Sequence, residues 1–288
     1  MIVLLGGSGY VGAAVRRRLE AGGLPVASPD RRELDASSKD VVAGWFRSRR
    51  VDAVINAIGF TGRPNIDGTE RERARTLSEN VLVPAVLAEV LGDLKIPWGH
   101  VSSGCIFHGD GADGRGFGEE EEPAFAKSDP RAGVYARSKW MAETLLRDRA
   151  VWVWRLRIPF DEVDSARNYL TKLAQYDRLL EVRNSISHLG DFADAIIECV
   201  RRRVPFGTYN VTNPGSVLTS EVVRLLEQFG LRKKATVFFR DEDDFLAAPG
   251  RVFRASCVLR SEKLAAAGIH LRDVHEALTW SLANWKTS

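Results

Sequence analysis

The sequence predicts an α/β protein, a doubly wound parallel sheet followed by a smaller C-terminal lobe. Three observations carry this expectation. Short apolar runs of strand character alternate with longer stretches of helical periodicity through the N-terminal part of the chain. A glycine-rich turn joins the first run to the first helical stretch. No internal repeat or low-complexity segment competes with that alternation. Strands joined through helices make right-handed crossovers, which set neighbouring strands parallel and place helices on both faces of the sheet.

The elements follow in order. Ile2–Leu5 is an apolar strand, and Tyr10–Glu20 a helix with Val11, Ala14, Val15 and Leu19 on one face, stopped at Gly22-Gly23. Pro25–Ala27 is a short strand, Val41–Arg49 a helix and Asp52–Ala57 a strand. Asn80–Leu91 reads as a helix with Pro84 in its early turns, and Trp98–Ser102 as the next strand. Tyr135–Asp148 is a helix and Val151–Leu156 a strand. Beyond Pro159 the alternation loosens into helices at Ala166–Tyr176, Phe192–Arg202 and Thr219–Phe229. The expected division is a nucleotide-binding domain over 1–158, completed by a later segment around 183–204, and a substrate lobe made mainly of 159–288.

Composition narrows the function classes. The 288 residues are 44% hydrophobic and 27% charged, ordinary for a globular protein with ample chain for a core. A net charge of +3 is too small to point to nucleic acid, and the arginine runs 16–18 and 201–203 fall on helical faces. MIVLLGG is too short for the core of a signal peptide, and no stretch approaches a membrane span. The three cysteines, Cys105, Cys199 and Cys257, form no CxxC pair, which argues against a disulfide framework or a zinc site. A cytoplasmic protein without a metal is expected.

In LLGGSGYVG, Gly6, Gly9 and Gly12 lie between the first strand and the first helix. Such a turn needs one glycine for its tight backbone, one for approach to a pyrophosphate and one for close helix packing. The backbone of Tyr10, Val11 and Gly12 then offers free N–H groups and partial positive charge to phosphate. This is a Rossmann-type dinucleotide site. Ala57 and Gly59, at the end of the third strand, fall on the same side. In SPDRRELD, Asp30 suits the ribose 2′-hydroxyl of NAD(H), whereas Arg31 and Arg32 suit a 2′-phosphate. Two arginines against one carboxylate favour NADP(H), with NAD(H) the alternative. Asp35 fits either the adenine edge or a helix N-cap.

Tyr135 and Lys139 stand four residues apart, on one face of a helix. A lysine ammonium beside a phenol is expected to lower the tyrosine pKa from its usual ~10 and so ready it for proton transfer. The preceding strand ends in Ser102-Ser103.

With the glycine turn, the NAIG strand end, Ser102-Ser103 and the Tyr135/Lys139 pair, the chain resembles the extended short-chain dehydrogenase/reductases. That resemblance implies that Ser103 orients a carbonyl, Tyr135 donates its proton, and Lys139 tunes Tyr135 and holds the nicotinamide ribose. Further stretches narrow it: INAIGFTGRPNID, ENVLVPAVLAEV, SGCIFHGDG, GFGEEEEPAF, YARSKWMAE, LRIPF, ARNYLTKLAQYDRLLEV and GTYNVTNPG. Together these are similar to the bifunctional 3,5-epimerase/4-reductases of nucleotide-rhamnose synthesis, a family known from plants and itself similar to dTDP-4-dehydrorhamnose reductases. The family converts a nucleotide-linked 4-keto-6-deoxyglucose to rhamnose with NADPH. It also implies an epimerising pair, a cysteine two residues after the catalytic serine and a lysine in a lobe helix, here Cys105 and Lys172.

The bland alternative for Cys105 is a small hydrophobe at a strand end. Cys199 and Cys257 read as structural, and His108 and His188 as second-choice bases. Arg63 and Asn65, after the third strand, are candidates for substrate contact, as is Asn168, one turn before Lys172. Arg157 is a candidate for the substrate diphosphate, with a structural ion pair equally in view. The expected partner is a nucleotide-sugar substrate, with a homodimer by analogy to the superfamily. Competing readings are a 4-reductase or epimerase/reductase acting on another dTDP- or GDP-linked 4-keto-6-deoxyhexose, and a dinucleotide-binding regulatory protein without turnover.

Overall fold

Strands that are buried on both faces carry mostly apolar residues, and the main strands follow that pattern, with Asn56, His100, Ser102, Ser103 and Arg155 as buried polar exceptions. In the computed structural model, which describes residues 1–287, six strands form one parallel sheet. They are β1 (Ile2–Leu5), β2 (Val26–Ala27), β3 (Ala53–Asn56), β4 (Trp98–Ser103), β5 (Trp152–Leu156) and β6 (Gly207–Asn210). All residues of β1, β3, β4 and β5 are buried, as expected for a sheet covered on both sides. The strand order is β6-β5-β4-β3-β1-β2, with Ile2 beside Val26 on one side and Ala53 on the other.

The helices that concern the site are α1 (Tyr10–Ala21), α2 (Lys39–Arg47), α3 (Val83–Asp93), α4 (Val134–Leu146), α5 (Tyr169–Gln175), α6 (Leu189–Arg202), α7 (Thr219–Gln228) and α8 (Val274–Ala283). Alternation along β1 divides the core into two layers. Ile2 and Leu4 pack with Val15 and Leu19 of α1 and with Phe192 and Ile196 of α6. Val3 and Leu5 pack with Val42 and Phe46 of α2 and with Leu87 and Leu91 of α3. In β4, Gly99 lies flat under the indole of Trp154 from β5, and a Cβ there would sit inside the ring.

The lobe has its own core, in which Phe160, Leu170 and Leu173 meet Val222 of α7 and Leu278 of α8. It is stitched to the sheet domain by a short parallel pairing of 159–160 with 187–188. A separate cluster of Ile106, Phe107, Phe125, Phe253 and Leu259 packs the loop after β4 against the segment 253–259. No helix among the described residues is long and apolar enough to cross a membrane.

Several element boundaries differ from the sequence reading for identifiable reasons. The helix expected from Asn80 is regular only from Val83, and residues Ser78–Leu82 form a wider π-helical turn. Pro84 has no N–H to return to the carbonyl of Asn80, so the ladder cannot run regularly through that point. The helix expected from Val41 begins at Lys39, because Ser38 caps it by accepting the Val41 N–H. The helix expected from Ala166 begins at Tyr169, capped by Asn168. The sheet's last strand is 207–210, reached through α6.

One buried ion pair fixes α4 on the sheet. Arg155 of β5 donates to Glu143 of α4 through Nε and Nη2, the latter at 2.7 Å. Ser102 of β4 donates to the same carboxylate, and both ionic side chains are about nine-tenths buried or more. Removing one partner strands the other charge out of water. Arg155→Met is expected to lower stability by about 3 kcal/mol, measured by urea denaturation, with Glu143→Gln/Arg155→Met less damaging than the single change.

Candidate active site

In a parallel sheet of this order the chain leaves β1 for β2 on one side and returns to β3 on the other. The crevice lies where the carboxyl ends of β1 and β3 diverge. Gly6 and Ala57 line that crevice. Gly6 has φ +78°, and a Cβ on it would lie 2.8 Å from the Ala57 carbonyl carbon. Gly12 is pressed against the Gly6 carbonyl, with no room for a side chain. Gly9 is the N-cap of α1 and contributes no capping side chain, and the first turn carries no acidic residue. The first-turn N–H groups at Tyr10, Val11 and Gly12 therefore face the crevice without an intrahelical acceptor. This cradle fits a dinucleotide pyrophosphate, which supplies the missing negative charge.

The ribose end also fits. The Asp30 carboxylate accepts the N–H groups of Arg32 and Glu33, so it closes a turn. Asp35 likewise accepts from Ser37 through its N–H and hydroxyl, and these bonds hold its carboxyl below the usual range. Arg31 and Arg32 are exposed. Arg31 approaches only Glu79, at 3.9 Å, and Arg32 has no ion-pair partner among the described residues.

At the far end of the crevice, β4 delivers Ser103 and α4 delivers Tyr135 and Lys139, all buried. Ser103 caps the short helical turn Gly104–Ile106 by accepting the Cys105 N–H at 3.2 Å, and its hydroxyl is near enough to the Tyr135 phenol to act on its proton. Lys139 donates from Nζ to the Val101 carbonyl at 3.1 Å, and Gly59 leaves room for that ammonium, 3.3 Å from where its Cβ would be.

The electrostatics differ from the sequence expectation. Tyr135 is held above the usual phenol value, chiefly by burial and then by Cys105, while Ser103 and Arg157 act in the lowering direction. Burial acts equally on Lys139, whose pKa is lowered to about 8 against the opposing pull of Glu143. A buried phenol loses more by shedding water from its anion than a neighbouring cation restores. Tyr135 is thus a firmly protonated donor.

Cys105 is the one cysteine that is not fully buried. Its sulfur accepts from Nη1 of Arg157 at 2.9 Å. Arg157 therefore faces the thiol, with Asn184 and the Ala255 carbonyl taking its other donors, and the structural ion pair in view for it is not formed among the described residues. Asn168 is corrected too. It is wholly buried, caps α5 through its Oδ1, and donates to the Asp161 and Val163 carbonyls at 2.8 Å. Its side chain is used up in holding the lobe.

Lys172 of α5 is partly buried, and burial together with Arg167 and Arg254 lowers its pKa. Both arginines tie the loop after β3 to the lobe. Arg167 donates to Thr61 and Gly62, and Arg254 makes a bidentate pair with Asp67. Arg254 adjoins Ala255, whose carbonyl accepts from Arg157. Lys172 feels the charge of Arg254, and no hydrogen bond joins it to Cys105 among the described residues. Arg63 is exposed on that loop, and Asn65 turns back to accept the Asp67 N–H. His188 is built into a cluster with Asp191 and Arg272, and His108 is packed against Phe125 and Phe253.

Asn80 was missed in the sequence. It lies in the π-helical turn, fully buried. Its Oδ1 accepts the Phe60 N–H at 2.7 Å, and its Nδ2 donates to the Phe60 carbonyl and to Ser138. Ser138 in turn donates to the Tyr135 carbonyl. Asn80 thereby locks the loop after β3 to the helix of Tyr135 and Lys139. A polar residue within an otherwise apolar helical stretch was the available signal.

The fold and this cluster define a Rossmann-type short-chain dehydrogenase/reductase. Residues 1–286 match the RmlD substrate binding domain family, and the chain belongs to it. It is 31% identical over 233 residues to a bifunctional dTDP-4-dehydrorhamnose 3,5-epimerase/dTDP-4-dehydrorhamnose reductase of Arabidopsis thaliana, covering 79% of this chain and 74% of that protein. A trifunctional UDP-glucose 4,6-dehydratase/UDP-4-keto-6-deoxy-D-glucose 3,5-epimerase/UDP-4-keto-L-rhamnose-reductase of the same plant is also 31% identical over 233 residues, 79% of this chain but 34% of that protein. Among solved structures, the L780 UDP-rhamnose synthase of Acanthamoeba polyphaga mimivirus superposes with TM-score 0.87 at 24% identity over 98% of both chains. A dTDP-4-dehydrorhamnose reductase of Bacillus anthracis in complex with NADP gives TM-score 0.80 at 18% identity, over 99% of this chain and 97% of that one. At those identities the two structures speak for the fold.

Asn80→Leu is expected to cost about 2 kcal/mol, since it strands the buried Phe60 N–H. Thermal denaturation measures the loss, and an unchanged melting temperature would contradict the locking role.

Proposed function

We propose that the protein is an NADPH-dependent enzyme that converts a nucleotide-linked 4-keto-6-deoxyglucose to the L-rhamnose nucleotide, epimerising C3 and C5 before reducing C4. The observation that carries this reading is that Cys105 follows Ser103 at the end of β4, with its N–H on the Ser103 hydroxyl and its thiol near enough to act on the Tyr135 phenol. A reductase alone needs the two hydroxyls and Lys139. The bifunctional relative supports the addition of epimerisation.

NADPH would be held by the glycine cradle, with Arg31 and Arg32 free for its 2′-phosphate and Lys139 for the nicotinamide ribose. It supplies the hydride for C4. Ser103 and Tyr135 donate to the C4 oxygen and stabilise the enolate that forms when a proton leaves C3 or C5. Cys105 and Lys172 take and return those protons from the two sides of the ring. Lys172 suits the task because burial and two arginines ease loss of its proton. In the reduction step Tyr135 gives its proton to the C4 oxygen, and the Lys139 ammonium balances the phenolate left behind. An arginine-lined cavity of about 580 Å³ beside the start of α4, bordered by Arg73, Arg131, Arg137 and Arg251, suits the anionic nucleotide portion.

Incubation in deuterated water with NADPH and the 4-keto sugar nucleotide should place deuterium at C3 and C5 without an added epimerase. Cys105→Ala should abolish that exchange while still reducing pre-epimerised substrate. Equal exchange in both proteins would make Cys105 a structural residue.

The pH dependence of the reduction step follows from Lys139. Its ammonium balances the developing phenolate while protonated, and that balance is lost as pH rises through about 8. The kcat for pre-epimerised substrate should therefore decline above about pH 8. A rate that stays flat to pH ~10, the usual lysine range, would show that the charge of Lys139 does not contribute.

A further inference from the structure

Arg157 is a buried cation with no anion opposite it. Its side chain is 3% exposed, and it forms no ion pair among the described residues, whereas Arg155 two positions earlier is paired with Glu143. A guanidinium does not deprotonate in proteins, so this charge persists at every working pH. A charge taken out of water without a partner is strongly unfavourable. Such an arrangement persists where an anion visits the site.

The surroundings aim the guanidinium at one place. Asn184 accepts from Nε at 3.2 Å and from Nη2 at 2.6 Å, and the Ala255 carbonyl accepts from Nη2 as well. Asn184 is itself fixed by accepting the Cys257 N–H at 3.0 Å. These contacts occupy one side of the fork and leave Nη1 directed at the Cys105 sulfur. Four other ionisable groups are near enough to feel the charge: Tyr135, Tyr169, Cys257 and His108. Tyr135 is held protonated by burial. The Cys257 thiol is pushed up to about 11 by burial and donates to the Gly104 carbonyl. Burial likewise holds the Tyr169 phenol protonated, an imidazole such as His108 is neutral or cationic, and none of the four supplies the missing anion.

We infer that Arg157 is the positioning residue of the epimerising centre, orienting the Cys105 sulfur and balancing the negative charge that the sulfur carries whenever its proton is on the sugar. This inference rests on the epimerase reading above. When the sulfur takes a proton from C3 or C5, the C–H bond breaks, an S–H bond forms, and the carbon's electron pair moves to the C4 oxygen between Ser103 and Tyr135. The site holds one negative charge before and after the transfer. Arg157 acts on both of its locations, since it touches the thiol and its charge also reaches Tyr135. The cation therefore stays neutralised through the step.

Alkylation of Cys105 by iodoacetamide at neutral pH tests this without turnover. Mass analysis of the Cys105 peptide gives the rate, and the buried Cys199 and Cys257 serve as internal controls. Arg157→Met should slow alkylation at least ~10-fold, and Arg157→Lys, which keeps the charge but not the fork, should restore part of the rate. An unchanged rate in folded Arg157→Met protein overturns the inference. If that variant does not fold, Asn184→Ala releases the guanidinium from its anchor without removing it. Slower alkylation there supports the inference, and an unchanged rate overturns it. Deuterium exchange on the same proteins separates the two proposals. Slowed alkylation in a protein whose wild type exchanges nothing sinks the epimerase reading and leaves the Arg157–Cys105 pairing standing.

Discussion

Parallel strands end together. Because all six strands of the sheet run the same way, every carboxyl end opens on one edge, and the residues that follow the strands are gathered there whatever their separation in sequence. Gly6 follows β1, Ala57 and Gly59 follow β3, Ser103 closes β4, and Arg157 follows β5. The site requires little further construction. What remains is to bring α4 across the end of β4, and the buried bond between Arg155 and Glu143 does that. The same carboxylate receives Ser102, so the strand of Ser103 and the helix of Tyr135 and Lys139 are pinned at one point.

Burial governs the chemistry of the site in both directions. It raises Tyr135, lowers Lys139 and lowers Lys172, so each group is moved towards its neutral form. A reductase acid needs to keep its proton until the hydride arrives, and the proton exchange proposed for Lys172 is eased when that lysine gives up its proton more readily. One environment serves both needs. Arg157 is the exception, because a guanidinium has no neutral form within reach. Its charge has to be met by geometry, and the geometry puts it beside Cys105.

The features legible in the sequence are those with local signatures. The glycine turn reads directly, since its spacing and its place between strand and helix are set within a dozen residues. Tyr135 and Lys139 read from helical spacing, and the roles proposed for Cys105 and Lys172 come from the family resemblance. The rest depends on which residues meet across the fold. Asn80 and Ser138 are far apart in the chain, and their contact exists only because α3 packs beside α4. Arg157 gives no local indication that Asn184 and Ala255 will take its other donors. The sequence reading of Tyr135 erred for a related reason, because it weighed a neighbouring charge without the desolvation that only the folded core imposes. Asn168 misled by position, since being one turn from Lys172 does not decide between a cap and a ligand.

Gly99 contributes no chemistry, yet the whole arrangement passes through it. The Trp154 indole occupies the volume above it, and β4 and β5 are paired so that Gly99 sits opposite Trp152 and Ser103 opposite Leu156. Any side chain at that position would have to push the two strands out of register or expel the indole. In terms of mutational tolerance, a residue with no polar side chain at the entry of β4 is as constrained as the serine at its exit. Variation in this protein should be sparse along the full length of that strand, including the end that never meets a ligand.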